Sequence, residues 1–388
     1  MDLELSEEQK LLVSSVRRFV REEIVPLEAG LDPDAYELPE ADHKRLSDKV
    51  RQMGLYGLGI PPKHGGPEVD MVTRALLAIE MSQHRAGIYA PCYETFGGTV
   101  LAQLYEANED QKKRYLDPLL RGEMQACFAL TESSGGSDPA GAILTRAVLE
   151  GDEWVINGSK TFISGADKSD FCLLFARTGD PSERGSITAF IVDTDSPGFF
   201  VRRVVHTLRS THYATELEFV NLRVPQRNML GGVGQGLKIA NDRLSRNRIP
   251  YGAECLGAAI RAQEMAIEYA KQRVTFGQPL AHRQAIQWML VDNEIDIRQA
   301  RWMILDAAFR CDRGEPFRAE AAIAKLVASE AAGRVVDRCI QIFGGLGVTK
   351  DLPLERWYRE LRIRRVGEGP SEVQRILMAR ELLGSIPR

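Results

Sequence analysis

Hydrophobic positions recur at helical spacing over residues 1 to about 122 and again from about residue 232 to the end of the chain. Near the start, Ser6-x-x-Gln9 forms a capping-box pattern, and apolar residues from Leu12 to Ile24 follow it with the period of one helix face. The other periodic segments predict helices near 40–53, 68–84, 87–105, 108–120, 236–274, 280–313, 316–343, 353–362 and 371–383.

Between these blocks the pattern changes to short β-branched and aromatic runs separated by Gly, Asp and Asn, which predicts strands. The clearest runs are 154–156, 171–175, 187–192 and 215–220, and Asn157-Gly158 is typical of a tight turn. We therefore predict an α+β multidomain chain. Its parts are an N-terminal helical domain (1–122), a middle antiparallel β-barrel domain (123–231) and a C-terminal four-helix bundle domain (232–388).

Composition limits the classes of function. The 388 residues are 44% hydrophobic and 27% charged, with a net charge of −4, as expected of a globular protein without a nucleic-acid surface. The six cysteines contain no CxxC pair and the six histidines no HxxxH pair, so we expect neither a disulfide framework nor a metal site. The acidic start, from Met1 to Gln9, does not resemble a leader peptide, and no apolar run approaches the ~20 residues of a membrane span. We expect a cytoplasmic protein.

Two polar segments of the middle region are candidates for ligand contacts. Hydroxyl groups and glycines follow an apolar strand in the segment from Phe128 to Asp138, where they could face a polar ring edge or a phosphate. On composition alone an ordinary polar loop is favoured. Phe162 and Ser164 lie two residues apart on a strand and share a face, so they could stack on a ring and donate a hydrogen bond. An edge strand with a solvated serine explains them about equally well.

Two further motifs lie in the C-terminal block. The first is Tyr269-x3-Arg273-x2-Phe276-Gly277, with Gln284 beyond it. Its arginine is suited to binding a pyrophosphate, and its phenylalanine ring is suited to binding an adenine. The alternative interpretation is that the arginine caps the end of a helix. Gln341 to Gly347 is rich in glycine, but no strand precedes it, so it is not a Rossmann fingerprint. Glycines that end a helix explain this segment equally well.

Glu368 is the candidate for a catalytic acid or base. It lies between two glycines, and Pro370 and Ser371 then open an apolar-periodic helix. Small neighbours allow unusual backbone dihedrals and let a flat ligand come close.

The order and spacing of these motifs are more specific than any of them alone. Glu132 with Gly136-Ser137-Asp138, then Asn157-Gly158-x-Lys160, Arg273-x2-Phe276-Gly277, Gln341-x2-Gly344-Gly345-x-Gly347 and Glu368-Gly369-x-Ser371-Glu372 together resemble the acyl-CoA dehydrogenase family over essentially the whole chain. The resemblance implies an FAD enzyme, usually a homotetramer, that oxidises an acyl-CoA to the 2-enoyl-CoA. It also implies that the electrons pass to an electron-transfer flavoprotein.

The resemblance further implies residue roles. The positions that match the family's FAD site are Phe128, Leu130, Thr131, Ser137, Phe162, Ser164, Arg273, Phe276, Gln284, Gln341, Gly345 and Gly369. Of these, Gln341 and Gly345 would come from a neighbouring subunit, and Ser137 would also touch the CoA chain. Arg248 matches an arginine that lines the acyl-CoA site. In the implied mechanism Glu368 takes the pro-R α-proton of the substrate, while the β-hydrogen leaves as hydride to flavin N5. The thioester carbonyl accepts hydrogen bonds from the Glu368 N–H and from a flavin ribityl hydroxyl.

One position supports this choice of base, and three depart from the family pattern. Some members place the acid just before the arginine that matches Arg248, but here Asn247 occupies that position and cannot act as a base. Gly367 replaces the usual aromatic before the base, Pro370 replaces the usual threonine, and Phe162 replaces a common tryptophan. Because Gly367 removes volume, we expect a branched, cyclic or aryl-bearing acyl group, unless Tyr93 or Phe96 refills the space.

Alternatives from other classes remain open. A related flavin oxidase or monooxygenase would use O2, and access to N5 would decide between them. A nitroalkane- or sulfinate-type substrate fits less well with Glu368 and Arg248. A non-catalytic scaffold that keeps the fold is disfavoured by Glu368, Arg273 and Gln341.

Overall fold

Helices form where the apolar period and the capping residues place them. The structure, a computed structural model, describes residues 5–98, 101–180, 186–209 and 214–384, without the side chains of 242–244; Met1 to Glu4, on which the leader-peptide expectation partly rests, lie outside this part. The helices are α1 (Glu7–Phe19), α2 (Val25–Glu28), α3 (Glu40–Gln52), α4 (Met71–Met81), α5 (Glu109–Gln111), α6 (Asp117–Arg121), α7 (Pro139–Ala142), α8 (Gly236–Gln272), α9 (Gln284–Asp312), α10 (Arg318–Phe343), α11 (Leu354–Arg364) and α12 (Ser371–Leu383). The capping box at Ser6 is confirmed, because the Ser6 side chain accepts from the Gln9 N–H at 3.1 Å and the Gln9 side chain accepts from the Ser6 N–H at 3.1 Å.

The chain divides into two compact units, one of Met1–Gly97 with Ser245–Arg388 and one of Gly98–Leu244. We call them the helical unit and the sheet unit. The N-terminal and C-terminal helices of the helical unit share one core, in which α8 and α10 contribute many small residues. Asp312 also joins the two segments, because its carboxylate accepts from the Met71 and Val72 N–H groups at 2.7 and 3.0 Å and so caps the start of α4.

The sheet unit contains the four strands predicted from the clearest runs, together with four more. The strands are β1 (Ala126–Ala129), β2 (Arg146–Glu150), β3 (Glu153–Ser164), β4 (Phe171–Arg177), β5 (Ile187–Asp193), β6 (Phe199–Val205), β7 (Ala214–Pro225) and β8 (Met229–Leu230). They pair in the order β6-β7-β3-β2-β4-β5-β8, with β1 joined to β4. The ladder is antiparallel except where β4 pairs in parallel with β1 and, at one position, with β2. Closure of this sheet into a barrel, like the domain boundaries at 122 and 231, stays a prediction.

Two local predictions were wrong. The helix over 87–105 is replaced by short turns, because Cys92, Tyr93 and Glu94 all have positive φ, between 49° and 62°, which no right-handed helix allows. Asn157-Gly158 makes no hairpin turn but lies inside β3, where the pairing with β7 shifts by one residue and Gly158 has φ 149°. Glycine there permits a bulge, since a Cβ would lie 2.5 Å from the Thr145 Oγ1.

None of the described helices is both long and apolar enough to cross a membrane.

Candidate active site

Glu368 lies in a left-handed turn of the helical unit, between α11 and α12. Its φ is 55°, and Gly369 follows with φ 85°. A non-glycine residue in this region is strained and persists only where its surroundings hold it. The turn leaves the Glu368 side chain exposed, so its carboxylate can reach a ligand.

Two buried side chains hold the carbonyl groups of this turn. Gln374 donates from Nε2 to the Gly369 carbonyl at 2.8 Å and to the Glu368 carbonyl at 3.3 Å. Lys325 donates from Nζ to the Gly369 carbonyl at 2.8 Å. The turn is therefore held from α10 and from α12.

Arg248, on α8, is only 6% exposed, and its Nε has no hydrogen-bond partner among the described residues. Burial lowers the pKa of Arg248, and the positive charge of Arg318 lowers it further, whereas Glu368 opposes both effects. A Cβ built on Gly369 would lie 4.0 Å from a terminal nitrogen of this guanidinium. An unpartnered buried N–H beside the base is the kind of group that a polar ligand satisfies.

The position before the base is closed by Tyr251. A Cβ built on Gly367 would lie 2.7 Å from the Tyr251 hydroxyl oxygen. The Tyr251 ring faces the Arg364 guanidinium at 4.0 Å, and its hydroxyl donates to the Arg364 carbonyl at 3.4 Å. Arg364 in turn forms an ion pair of 2.7 Å with Glu254. Tyr251 was not predicted as a site residue, because its only signal in the sequence is an aromatic side chain one turn of α8 after Arg248.

Tyr93 and Phe96, the two residues expected to refill this space, belong to another cluster. They pack with α1 and α3 of the helical unit. The Tyr93 hydroxyl donates to the Glu28 carboxylate at 2.7 Å, and Phe96 meets Phe19 edge to face.

In the sheet unit, the candidate loop that follows β1 has most of its polar residues exposed, but Glu132 is buried. Phe128 is half-buried against Phe175, with ring centroids 4.8 Å apart, and Leu130 and Thr131 are also half-buried. Ser137 is exposed. The loop is fixed to β3, because the Thr161 N–H donates to the Thr131 carbonyl at 3.0 Å.

Phe162 and Ser164 both face outward from the end of β3. Phe162 has φ 58° at a second register shift of this strand, and its ring is 60% exposed. An apolar ring held in a strained, exposed position is better explained by a ligand or partner than by packing. Both side chains are exposed, with the buried Ile163 between them, and Thr131 lies beside the same strand.

Arg273, Phe276 and Gln284 surround a small hairpin of the helical unit, formed by β9 (Val274–Thr275) and β10 (Gln278–Pro279). Phe276 and Gly277 form its turn with φ 47° and 76°, and Phe276 is 96% exposed. Arg273 is exposed just after α8, and Gln284 is exposed at the first residue of α9. The hairpin thus presents a ring, a cation and an amide to solvent.

Gln341 and Gly345 lie at the end of α10, where both are exposed. The helix ends at Phe343, and Gly344 has φ 62°, so a glycine helix stop does occur here. Phe343 stacks on Tyr269 of α8 with ring centroids 4.3 Å apart.

Three family models match the chain in order: the acyl-CoA dehydrogenase N-terminal domain over residues 6–123, the middle domain over 127–222 and the C-terminal domain over 234–383. An acyl-CoA dehydrogenase of Bacillus subtilis (strain 168) is 37% identical over 98% of this chain and 100% of that protein. Butyryl-CoA dehydrogenase of Megasphaera elsdenii is 32% identical, with a TM-score of 0.85 over 99% of this chain and 100% of that chain. A chain of the structure described as "Electron transferring flavoprotein of Acidaminococcus fermentans: Towards a mechanism of flavin-based electron bifurcation" is 33% identical, with a TM-score of 0.85 and the same coverage.

Proposed function

The chain belongs to the acyl-CoA dehydrogenase family, and we propose that it oxidises an acyl-CoA thioester to the 2-enoyl-CoA with Glu368 as the base that removes the α-proton. Members of this family are oxidoreductases that bind FAD. The observation that carries the proposal is the strained Glu368–Gly369 turn beside the buried Nε–H of Arg248, which has no partner among the described residues.

The residues of this chain fit FAD. The exposed ring of Phe162 and the neighbouring hydroxyl of Ser164 suit a flat heterocycle with a hydrogen-bonding edge, and the exposed Phe276 ring beside Arg273 suits an adenine and a pyrophosphate. Following the family resemblance, we assign the acyl-CoA contacts to Ser137, Arg248 and Glu368 and the FAD contacts to a larger set of residues. The FAD set is Phe128, Leu130, Thr131, Ser137, Phe162, Ser164, Arg273, Phe276, Gln284, Gln341, Gly345 and Gly369.

The chemistry divides between the protein and the cofactor. The α C–H bond breaks and its proton goes to the Glu368 carboxylate, while the α carbon keeps the electron pair and forms the double bond. FAD, when bound, accepts the β-hydrogen with its two electrons. The Glu368 N–H donates to the thioester oxygen, where negative charge develops, and this stabilises loss of the α-proton. Substrate also excludes water around Glu368, and desolvation makes a carboxylate a stronger base.

An electron-transfer flavoprotein is the proposed acceptor that returns FAD to its oxidised form, one electron at a time. The similarity to a chain of the Acidaminococcus fermentans structure supports this partner. The test mixes reduced enzyme, with product bound, either with oxygen or with an electron-transfer flavoprotein. Fast transfer to the flavoprotein with slow peroxide formation supports the dehydrogenase, and rapid stoichiometric peroxide would identify an oxidase.

A homo-oligomer, a tetramer by family resemblance, is proposed from an exposed apolar stripe on α9. Trp288, Val291, Ile295 and Trp302 lie on one side of this helix and are 61%, 56%, 49% and 44% exposed. A stripe of this kind is typical of an interface. Sedimentation of the wild type and of Trp288→Glu tests it, and a monomeric wild type would contradict it.

The experiment that tests the proposed function is a titration of the purified protein's flavin absorbance with a panel of acyl-CoAs that differ in length and branching. Bleaching of the oxidised flavin band by at least one of them, with formation of the 2-enoyl-CoA, is the expected result. A protein that takes up no FAD on reconstitution, or that is bleached by no acyl-CoA, would contradict it and favour the scaffold.

A further inference from the structure

Lys325 is a completely buried lysine that the proposed chemistry does not use. It lies on α10 with 0% of its surface exposed. Among the described residues, no carboxylate oxygen comes within ion-pair distance of its Nζ. Burying a charge without a counterion is costly, so a lysine in this position calls for an explanation other than fold stability.

The Lys325 ammonium acts on the backbone of the base. Its Nζ donates to the Gly369 carbonyl at 2.8 Å, and that carbonyl belongs to the residue directly after Glu368. The same oxygen accepts from Gln374 at 2.8 Å. A hydrogen bond from a charged donor is about twice as strong as a neutral one, so Lys325 is the stronger of the two restraints.

The turn needs such a restraint because its geometry is unfavourable. Glu368 and Gly369 are both left-handed, with φ of 55° and 85°, and only glycine adopts this region at little cost. If the Gly369 carbonyl were released, the peptide groups around Glu368 could rotate towards ordinary dihedrals. Both the Glu368 carboxylate and the Glu368 N–H would then move away from the positions that the reaction requires.

The charged and titratable groups around Lys325 belong to three elements of the helical unit. Tyr251, Cys255 and Arg248 belong to α8, Arg364 belongs to α11, and Glu368 lies in the turn itself; the Tyr251 ring is 5.7 Å from Nζ. The pKa of Lys325 is lowered to about 8, chiefly by burial. Arg248 and Arg364 also lower this pKa, whereas Cys255 and Glu368 raise it. The ammonium is therefore charged at neutral pH and loses its charge within an accessible range.

We propose that Lys325 is a positioning residue for the reaction, whose ammonium fixes the Gly369 carbonyl and thereby holds the Glu368 carboxylate and N–H in place. The proposal rests on the proposed function, because it assumes that Glu368 is the base. Lys325 itself touches neither substrate nor cofactor in this role.

The test uses the FAD-loaded enzyme and two readouts of α-proton removal. One is the rate of flavin bleaching by an acyl-CoA, and the other is exchange of the α-hydrogens of that acyl-CoA with D2O. The variants are Lys325→Met and Lys325→Arg, and the exposed Lys350→Met, which ion-pairs with Asp34, is the control. Each is measured between pH 6 and 10, with kcat and KM determined separately.

We expect Lys325→Met to lower kcat and the exchange rate by roughly 10- to 100-fold, with KM nearly unchanged, because a displacement of about 1 Å has effects of this size. The wild-type rate should fall as pH rises through about 8, where Lys325 loses its proton. That alkaline fall should be missing in Lys325→Met, because methionine has no proton to lose. It should also be missing in Lys325→Arg, because a guanidinium stays charged throughout this range.

The outcomes separate the inference from the function on which it rests. A wild type that neither bleaches nor exchanges overturns both. An active wild type with a Lys325→Met variant of equal kcat and unchanged pH profile overturns the inference alone. If Lys325→Met fails to fold, Lys325→Arg decides, because a wild-type alkaline fall in that variant also overturns the inference.

Discussion

Lys160 Nζ lies 2.7 Å from Glu132 Oε1, and both side chains are buried in the sheet unit. The Glu132 carboxylate also accepts from the Leu144 and Thr145 N–H groups, at 2.7 and 3.1 Å. Lys160 donates in addition to the Leu130 carbonyl at 3.1 Å. The ion pair therefore joins the loop that carries Thr131 to the strand that carries Phe162.

Replacement of Lys160 by methionine should destabilise the sheet unit, because it leaves the Glu132 carboxylate buried without its cation. Breaking a buried pair in this way costs about 3–5 kcal/mol. Urea unfolding, together with the flavin content of the purified variant, measures the effect. The exposed Lys238→Met is the control, and a Lys160→Met variant that unfolds like it would show that the pair does not hold this loop.

The pH dependence of stability should depend on Glu28 of the helical unit. Burial alone would raise the pKa of Glu28, but His84, the Ala86 N–H and Tyr93 outweigh it and hold that pKa at about 2, below the ordinary 4.5. A depressed carboxyl pKa stabilises the fold above about 4.5, and this contribution, about 3 kcal/mol, is lost as pH falls from 4.5 towards 2. Urea unfolding should show a gap between wild type and Glu28→Gln that narrows over this range. The exposed Glu22→Gln should follow the wild type at every pH, and a Glu28→Gln gap that stays constant would contradict the prediction.

The periodic elements could be predicted from the sequence because one residue pattern determines each of them. The period of the apolar positions predicted α12 at Ser371–Leu383, and the capping box predicted the start of α1. The segment over 87–105 could not be predicted in this way. Its left-handed turn is held by groups outside the segment: the His84 ring accepts from the Cys92 N–H at 2.7 Å, and the Glu28 carboxylate, much earlier in the chain, accepts from the Tyr93 hydroxyl at 2.7 Å.

Some residues of the candidate site could likewise be predicted from the sequence, and others could not. Glu368 was recognisable because glycines surround it in the sequence, and Phe276 because an arginine and a glycine lie nearby. Lys325 and Tyr251 were not recognisable, since their neighbours in the chain are those of an ordinary helix. What distinguishes them is contact with the Glu368 turn across 44 or more residues of chain, and only the fold reveals this contact.

Glu368→Gln should bind acyl-CoA but barely bleach the flavin. The amide keeps the shape of the carboxylate and cannot accept the α-proton, and loss of a general base commonly costs about 10²–10⁴-fold. Stopped-flow bleaching at saturating acyl-CoA gives the rate. Glu372→Gln, an exposed carboxylate of α12, is the matched control. Near-normal bleaching by Glu368→Gln would place the base elsewhere.

The purified chain should be yellow, with about one FAD per subunit. Arg273→Ala should lose FAD more readily than the wild type, because the exposed guanidinium beside the Phe276 hairpin is the proposed partner of the pyrophosphate. Absorbance after gel filtration at increasing salt measures retention. Arg18→Ala, an exposed arginine of α1, should retain FAD like the wild type; equal loss from both variants would remove Arg273 from the cofactor site.

The volume beside the base depends on Tyr251 as well as on Gly367. Glycine at 367 led us to expect room for a branched, cyclic or aryl-bearing acyl group. However, the Tyr251 hydroxyl lies 2.7 Å from the position of a Cβ on Gly367, so this side of the glycine is occupied. Gly367→Ala should therefore lower kcat/KM for every acyl-CoA, because the new methyl group displaces either Tyr251 or the turn.

Tyr251→Phe removes only the oxygen that the methyl group would meet, so the double variant Tyr251→Phe/Gly367→Ala should regain most of the lost activity. Tyr251→Ala should instead enlarge the site and raise the kcat/KM of a branched or cyclic acyl-CoA relative to a straight chain of equal carbon count. We expect a shift of roughly tenfold, since each methylene that fits is worth about 1–3 kcal/mol. The measurement is the kcat/KM of the two substrates, and their ratio, in the wild type and in each variant. If that ratio is the same in Tyr251→Ala as in the wild type, and Gly367→Ala is equally impaired with and without Tyr251→Phe, then Tyr251 does not form the wall beside the base.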